Sequence, residues 1–248
     1  MQATTWIRPE SLSLLDVGCN VGAFLKTCQQ AMPRLKLAGV EINETALAIA
    51  QRQLPGIDLH HTSAEDLPFA AESFDCITCL EVLEHIPAKS RANSLQEIRR
   101  VLRQGGQLIV STPHQGWFAW MDSNNIRYRL PTLYRWVVQR GLRDSVYERR
   151  GCQVEWHEHF TLEALIAIAG SGWKVISVRR GGLFLYPLMD WLSWFFYRKN
   201  LSEHPIRQLF ERIASWDDSI DYGQASYRIC VVLQKIDTVE SREDAENA

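Results

Sequence analysis

The chain has 248 residues, a formal net charge of −2 and 46% hydrophobic residues. The near-neutral charge excludes a general nucleic-acid binder, and no apolar run reaches the roughly 18 residues of a membrane-spanning helix. The length fits one α/β domain with insertions. The first residues lack the basic start and apolar run of a signal peptide. The six cysteines lie mostly in predicted helices and strands, so we expect reduced thiols and a cytoplasmic protein.

Short apolar runs alternate with helix-forming sequence along most of the chain, which predicts an α/β fold. The predicted strands cover 13–17, 36–42, 57–61, 74–79, 107–111, 173–179 and 225–234. The predicted helices include 21–32, 45–53, 95–102 and 161–169. The first strand is joined to the first helix by a glycine loop, an arrangement that places backbone N–H groups and a helix N-terminus beside a nucleotide-like ligand.

This loop departs from the dinucleotide fingerprint G-x-G-x-x-G/A at its middle position. The three positions hold Gly18, Asn20 and Ala23, so the glycine that lets a diphosphate approach the backbone is absent. Asp16 lies two residues before the first glycine. Its carboxylate repels a diphosphate and favours a ligand with ammonium or sulfonium charge, and S-adenosylmethionine carries both. Asn tolerates a positive φ better than most residues, so the loop can keep its shape.

The stretch from Asp16 to Gly22 resembles motif I of the class I S-adenosylmethionine-dependent methyltransferases, whose loop has the form D-x-G-x-G-x-G. The resemblance implies that Asp16, Gly18, Asn20 and Gly22 contact the cofactor S-adenosylmethionine. The alternative is a plain turn between a strand and a helix, with no ligand.

The second predicted strand ends in an acid, Glu41, which lies 19 residues after Gly22. An acid about 20 residues beyond a glycine loop, at the carboxyl end of a strand, is placed to accept hydrogen bonds from ribose hydroxyls. We therefore assign Glu41 and the adjacent Ile42 to the cofactor site. The alternative is an exposed carboxylate at a strand end.

An acidic loop follows the third predicted strand, over 63–69. It resembles the loop with which these methyltransferases recognise adenine. The resemblance implies that Asp66, with Glu65 as the competing acid, accepts from the exocyclic amine, and that neighbouring backbone N–H groups and apolar side chains such as Leu67 contact the ring. The alternative is a solvated loop that caps the next helix.

The fourth predicted strand leads into the run Leu80-Glu81-Val82-Leu83-Glu84-His85-Ile86-Pro87. This run strongly resembles motif IV of small-molecule and quinone-type methyltransferases. The resemblance implies that Glu81 lies near the methionine end of the cofactor and that His85 is a candidate general base. After the following helix, Gly105-Gly106 is interpreted as the helix stop that precedes the fifth strand.

Two insertions interrupt the pattern. Residues 113–156 are aromatic and basic, and we interpret them as the main substrate lid; His114, at its start, is a second candidate general base. The alternative is a helical excursion that only packs on the domain. Residues 181–222 form the second insertion, and its apolar part, 181–199, suits peripheral contact with a membrane or a hydrophobic substrate channel. Lid core or a dimer contact is the alternative.

The segment between the insertions contains His157-Glu158-His159. The familiar zinc pattern is H-E-x-x-H on a helix, and two histidines ahead of a helix are more typical of capping or substrate contacts, so no metal ligand is predicted. Residues 237–248 are acidic, and we expect a disordered tail.

By resemblance, the fold is a Rossmann-like seven-stranded sheet of order 3-2-1-4-5-7-6, with strand 7 antiparallel and helices on both faces. Residues 1–236 then form one class I methyltransferase domain with lid insertions. The implied reaction is O-methylation of a small-molecule or lipid-linked acceptor, such as a phenol, a quinone precursor or a sugar hydroxyl. Two alternatives remain: a nicotinamide-dependent Rossmann oxidoreductase, and a non-catalytic partner subunit that binds S-adenosylmethionine. The oligomeric state is not predicted.

Overall fold

A computed structural model describes residues 3–122, 125–132, 157–198 and 204–237. It contains a seven-stranded sheet of order β3-β2-β1-β4-β5-β7-β6, with β7 antiparallel, which confirms the predicted topology. The strands are β1 Ser13–Val17, β2 Lys36–Glu41, β3 Asp58–His61, β4 Phe74–Leu80, β5 Leu102–Pro113, β6 Trp173–Gly181 and β7 Arg228–Lys235.

Helices surround this sheet. The described helices are α1 Ala23–Ala31, α2 Glu44–Gln53, α3 Ala88–Val101, α4 Ile126–Arg129, α5 Leu162–Ala169, α6 Leu185–Arg198 and α7 Pro205–Asp218. Short 3₁₀ turns cover Ala3–Trp6, Leu83–His85, Ala119–Met121 and Gly223–Ala225. Among these helices, none combines the length and the apolar character needed to cross a bilayer.

The chain separates into two compact units. The core unit comprises Gln2–Ser111, Leu162–Val178 and Cys230–Ala248, and the insertion unit comprises Thr112–Thr161 and Arg179–Ile229. Much of the predicted lid, at 123–124 and 133–156, lies outside the described residues, as do 199–203 and the tail from 238 onward. The single domain over 1–236 and its lid insertions stay predictions.

The register of the parallel strands gathers the candidate site residues at one edge of the sheet. Val17 of β1 is opposite Val40 of β2 on one side and Cys79 of β4 on the other. The loops that follow these three strands therefore begin side by side. The central strand β1 is buried along its whole length, so both of its faces are covered.

The boundary between α3 and β5 corrects the sequence prediction. The helix ends at Val101 and β5 begins at Leu102, so Gly105-Gly106 lies inside the strand and does not stop the helix. Phe74 pairs with Leu102, whereas Cys76 pairs with Gln107. The extra residues of β5 form a bulge, which Gly105 accommodates with a φ of 72°.

Candidate cofactor site

The glycine loop after β1 uses three left-handed residues in alternation. Gly18, Asn20 and Gly22 have φ values of 77°, 49° and 80°. The Asn20 value confirms the expectation that asparagine can replace the central glycine in this conformation. The N–H groups of Gly18 and Cys19 both donate to the Val40 carbonyl, at 2.8 and 3.0 Å, which ties the loop to β2. Helix α1 begins only after Gly22, because that residue is not helical.

The two outer glycines are also required by space. A Cβ on Gly18 would lie 2.4 Å from Val82 Cγ2, and one on Gly22 would lie 2.6 Å from Leu54 Cδ1. Real side-chain contacts do not approach this closely, so any side chain would displace the loop. The loop thus packs against the motif IV segment on one side and α2 on the other.

Glu41 connects the glycine loop to the start of α2. Its Oε2 accepts from the Asn20 N–H at 2.8 Å, and its Oε1 accepts from the Asn43 N–H at 2.7 Å. Each carboxylate oxygen has a further lone pair with which a ribose hydroxyl can bond. Ile42, the next residue, is 65% exposed and offers an apolar surface beside this carboxylate.

Asp16 is a buried acid at the base of the loop. The residue is only 3% exposed to solvent, and Thr78 Oγ1 donates to its Oδ1 at 2.7 Å. Burial raises the pKa of Asp16 from 3.8 to about 7; the Thr78 hydrogen bond opposes this rise, and the nearby charge of Glu41 adds to it. Two acids in one low-dielectric region favour a cationic ligand over an anionic one.

The acidic loop after β3 is held by α3. Arg100 donates to the carbonyls of Leu67 (3.0 Å) and Phe69 (2.8 Å), and it pairs with Glu97 at 2.8 Å. Glu97 in turn accepts from the Leu67 N–H at 3.3 Å. Asp66 is exposed, whereas the Leu67 side chain is buried. The two α3 residues position this loop, and sequence reasoning missed them because nothing local marks their partners.

The N–H groups of the acidic loop have partners within the protein. Besides the bond from Leu67, the Glu65 N–H donates to Ser63 Oγ and the Asp66 N–H donates to the Ser63 carbonyl, both at 3.2 Å. An adenine ring that bonded to these N–H groups would have to replace these internal hydrogen bonds. The exposed Asp66 carboxylate needs no such exchange.

Glu81 follows β4 in a conformation that is costly for its residue type. Its φ is 56°, and its N–H donates to the Ser111 carbonyl at 2.9 Å. Ser111 Oγ donates to Glu81 Oε1 at 2.7 Å. A bulky residue held in the left-handed region is typical of functional sites, where surrounding contacts impose the strain.

The two candidate bases lie in different units. His85 is exposed at the end of the Leu83–His85 turn in the core unit. His114 is fully buried in the insertion unit, with Nδ1 2.9 Å from the Ser226 carbonyl oxygen. A carbonyl only accepts, so the proton is on Nδ1 and a neutral His114 carries its lone pair on Nε2.

A third arrangement of polar residues joins Asp122 to His157 and His159 in the insertion unit. Asp122 Oδ2 contacts His157 Nδ1, and lies 2.9 Å from His159 Nε2. The sequence marked the two histidines, but Asp122 precedes them by more than thirty residues, at a spacing that matches no motif. Only the folded chain pairs them.

Comparison with known proteins agrees with this geometry. Residues 15–110 match the family model of a methyltransferase domain. The chain is 33% identical over 115 residues to a ubiquinone biosynthesis O-methyltransferase of Aromatoleum aromaticum, a match that covers 44% of this chain and 47% of that protein. It is 32% identical over 112 residues to phthiotriol/phenolphthiotriol dimycocerosates methyltransferase 1 of Mycobacterium ulcerans, covering 44% and 41%. The chain thus spans about half the length of the curated relatives it matches.

The fold is also similar to solved structures. A methyltransferase structure from Thermotoga maritima superposes with a TM-score of 0.57 at 20% identity, over 94% of this chain and 86% of that one. Residues 15–110 thus match a methyltransferase domain, and the sheet order is that of the Rossmann-like methyltransferase fold. The cofactor of this domain is S-adenosylmethionine.

Proposed function

We propose that the protein transfers a methyl group from S-adenosylmethionine to an oxygen of a small-molecule or lipid-linked acceptor. The observation that carries the proposal is the buried Asp16 beneath a glycine loop that lacks the diphosphate-type central glycine. A buried acid at this position discriminates against a nicotinamide dinucleotide, because its diphosphate would meet a second negative charge. It suits the ammonium group of the methionine moiety.

We assign each half of the cofactor to different residues of the site. Glu41 would accept from the ribose hydroxyls, while Ile42 and the Asp66 loop would contact the adenine. Asp16, Gly18, Asn20, Gly22 and Glu81 would surround the methionine end. The bound cofactor supplies an electrophilic methyl group on a sulfonium. The chain must then hold the acceptor oxygen in line and exclude water.

The acceptor class rests on chemistry and similarity. The motif IV run and the resemblance to a ubiquinone biosynthesis O-methyltransferase and a dimycocerosates methyltransferase both favour hydroxyl acceptors on apolar or lipid-linked molecules. A hydroxyl benefits from a base that titrates near neutrality, which histidine provides. His114, with its lone pair on Nε2, and the exposed His85 are the candidates.

The test of this function begins with cofactor choice. Calorimetric titration should show binding of S-adenosylhomocysteine and none of NADH; the reverse result would identify an oxidoreductase instead. Methyl-labelled S-adenosylmethionine is then incubated with the protein and with lipid and aqueous extracts separately. Label in an alkali-resistant lipid or aromatic ether supports the proposal. Cofactor binding with no label in either extract would favour the non-catalytic partner subunit.

Single-turnover kinetics with the acceptor that takes up the label distinguish the two candidate histidines. We expect His114→Gln or His85→Ala to lower the methyl-transfer rate by about 10²-fold or more, whichever residue is the base, and to flatten its pH profile. His60→Ala, at a half-buried histidine paired with Asp58 at 2.8 Å, serves as the control. Unchanged rates and pH profiles in both variants would eliminate histidine-assisted deprotonation by these two residues.

The surface of α6 supports peripheral contact with a membrane. Trp191 and Leu192 of this helix are 50% and 38% exposed, as is Phe184 just before it at 39%, whereas Met189 of the helix is buried. Aromatic and aliphatic side chains exposed on one helix suit the bilayer interface. We expect Trp191→Gln combined with Leu192→Gln to reduce co-sedimentation with phosphatidylcholine vesicles several-fold. Ile176→Gln, at a residue 48% exposed on β6, should have no effect; equal binding by all three proteins would argue against this contact.

A further inference from the structure

The histidine pair that the sequence does not mark as a metal site is organised around one carboxylate. Asp122, His157 and His159 each offer one ligand atom, and these atoms lie within 4.8 Å of one another. Their side chains are only 2%, 8% and 7% exposed. Because the three ligand atoms lie this close together and away from solvent, a single cation can contact all of them.

The contacts of the His159 ring indicate a cation beside the Asp122 carboxylate. Its Nδ1 lies 2.9 Å from the His114 carbonyl oxygen, and its Nε2 lies 2.9 Å from Asp122 Oδ2. Both oxygens are acceptors, yet a neutral imidazole has only one N–H to donate. With the proton on Nδ1, the Nε2 lone pair points at a carboxylate oxygen, which is repulsive unless a cation lies between them.

The same arrangement is that of a metal-bound histidine. Ligating histidines usually donate their second ring N–H to a backbone carbonyl or a carboxylate, which fixes the tautomer and the ring orientation. His159 has this partner in the His114 carbonyl. Ligand atoms around a tetrahedral ion are separated by about 3 to 3.5 Å, given metal–ligand distances of about 2.0 to 2.2 Å. The 2.9 Å between Asp122 Oδ2 and His159 Nε2 is close to this separation.

Further bonds hold the ligand-bearing segments rigidly. The fully buried Asn125 side chain donates to the His157 carbonyl at 2.6 Å and accepts from the His157 N–H at 2.9 Å. The Phe160 N–H donates to the Pro113 carbonyl at 2.9 Å. These contacts fix the backbone on both sides of the histidine pair, so the three ligand atoms are set in place by the fold.

We propose that Asp122, His157 and His159 bind a divalent transition-metal ion, with Zn²⁺ the reference case. Two imidazoles and one carboxylate suit Zn²⁺, Fe²⁺ or Co²⁺ and disfavour Mg²⁺ and Ca²⁺, which prefer oxygen ligands. The ion joins residue 122 to the segment at 157–159 within the insertion unit. This proposal does not depend on the methyl acceptor or on the reaction.

The test uses Co²⁺ as a spectroscopic probe on the full chain. Wild type, loaded and desalted, should retain about one ion per chain and show visible d–d absorption that Zn²⁺ abolishes. Asp122→Asn and His159→Gln should each weaken Co²⁺ binding by at least about 10²-fold, whereas His60→Gln, in the pair with Asp58, should bind as wild type. Circular dichroism establishes that the variants are folded.

Two results would overturn the proposal. One is wild type that retains no Co²⁺ or Zn²⁺, with ¹⁵N shifts that mark His159 as a doubly protonated imidazolium, since a proton would then be the cation. The other is a variant at Asp122 or His159 that is folded and binds Co²⁺ as tightly as wild type. If neither variant folds, wild type decides the question: Zn²⁺ should shift the ¹⁵N resonance of His159 Nε2 and leave the Nδ1–H signal in place, and an Nε2 resonance that Zn²⁺ does not move would overturn the proposal.

Discussion

Replacing Asp16 by Asn is expected to weaken binding of S-adenosylmethionine and S-adenosylhomocysteine by about 10- to 100-fold, while the ligand-free protein becomes more stable at pH 8. The first effect follows from loss of a charge-assisted contact to the ligand ammonium, on the order of 1.5 to 3 kcal/mol. The amide can still accept from Thr78, so the fold is retained. Calorimetry and thermal melts measure the two effects.

The stability effect follows from the sign of the pKa shift. Asp16 holds its proton in the folded state up to a pH of about 7, whereas the ordinary value is 3.8. The folded state therefore loses stability as pH rises from about 4 to about 7, by on the order of 4 kcal/mol in total. Asn does not titrate, so the variant should melt above wild type at pH 8, and the gap should narrow toward pH 4.

The affinity of wild type for the ligand should depend on pH through the same group, but in the direction opposite to stability. The ionised acid binds a cation, so affinity should rise with pH up to about 7 and then level off, whereas the variant should lack this dependence. Asp58→Asn serves as the control and should bind as wild type. Asp58 is an exposed acid at the start of β3, whereas the site lies beyond the carboxyl ends of the strands. An Asp16→Asn protein that binds S-adenosylhomocysteine with wild-type affinity would refute the assignment of this acid.

Gly18→Ala is the second substitution with a large expected effect. The new Cβ would lie 2.4 Å from Val82 Cγ2 in a residue with a φ of 77°. Left-handed strain costs about 1 to 2 kcal/mol and overpacking about 1 to 3 kcal/mol, so we expect a loss of about 2 to 5 kcal/mol in the free energy of unfolding. The displaced loop should lower the affinity for S-adenosylhomocysteine by about 10²-fold. Urea denaturation and calorimetry measure these losses.

Gly170 supplies the matched control. It has a φ of 73°, and a Cβ there would meet nothing within 4 Å. Gly170→Ala should therefore show the strain alone, about 1 to 2 kcal/mol, with unchanged affinity. Adding Val82→Ala to Gly18→Ala should recover part of the steric loss and none of the strain. Equal stability and affinity in the two alanine variants would mean that the close approach to Val82 has no role.

The sheet and the glycine loop were predictable because their signals are local. The buried apolar runs marked the strands, the resemblance supplied their order, and the requirement for positive φ explained why an asparagine could stand at position 20. The boundary between α3 and β5 was wrong because a glycine pair signals both a helix end and a bulge, and only the pairing of Phe74 with Leu102 distinguishes the two.

Contacts between distant segments could not be read in the same way. Nothing beside Asp122 indicates that its carboxylate meets two histidines more than thirty residues later. The hydrogen bonds that Glu97 and Arg100 make with the acidic loop likewise depend on how α3 lies along the sheet. Such pairings are properties of the folded backbone, and one sequence carries no marker for them.

The two hydrogen bonds that the Glu41 carboxylate accepts have a consequence for redesign. Because one carboxylate restrains both Asn20 and Asn43, it is a structural clamp as well as a candidate sugar ligand. An engineer who exchanges it to admit a cofactor analogue with a modified ribose would also release both crossover connections. Altered selectivity at this position therefore requires a replacement acceptor for two backbone amides, which Gln can supply only in part.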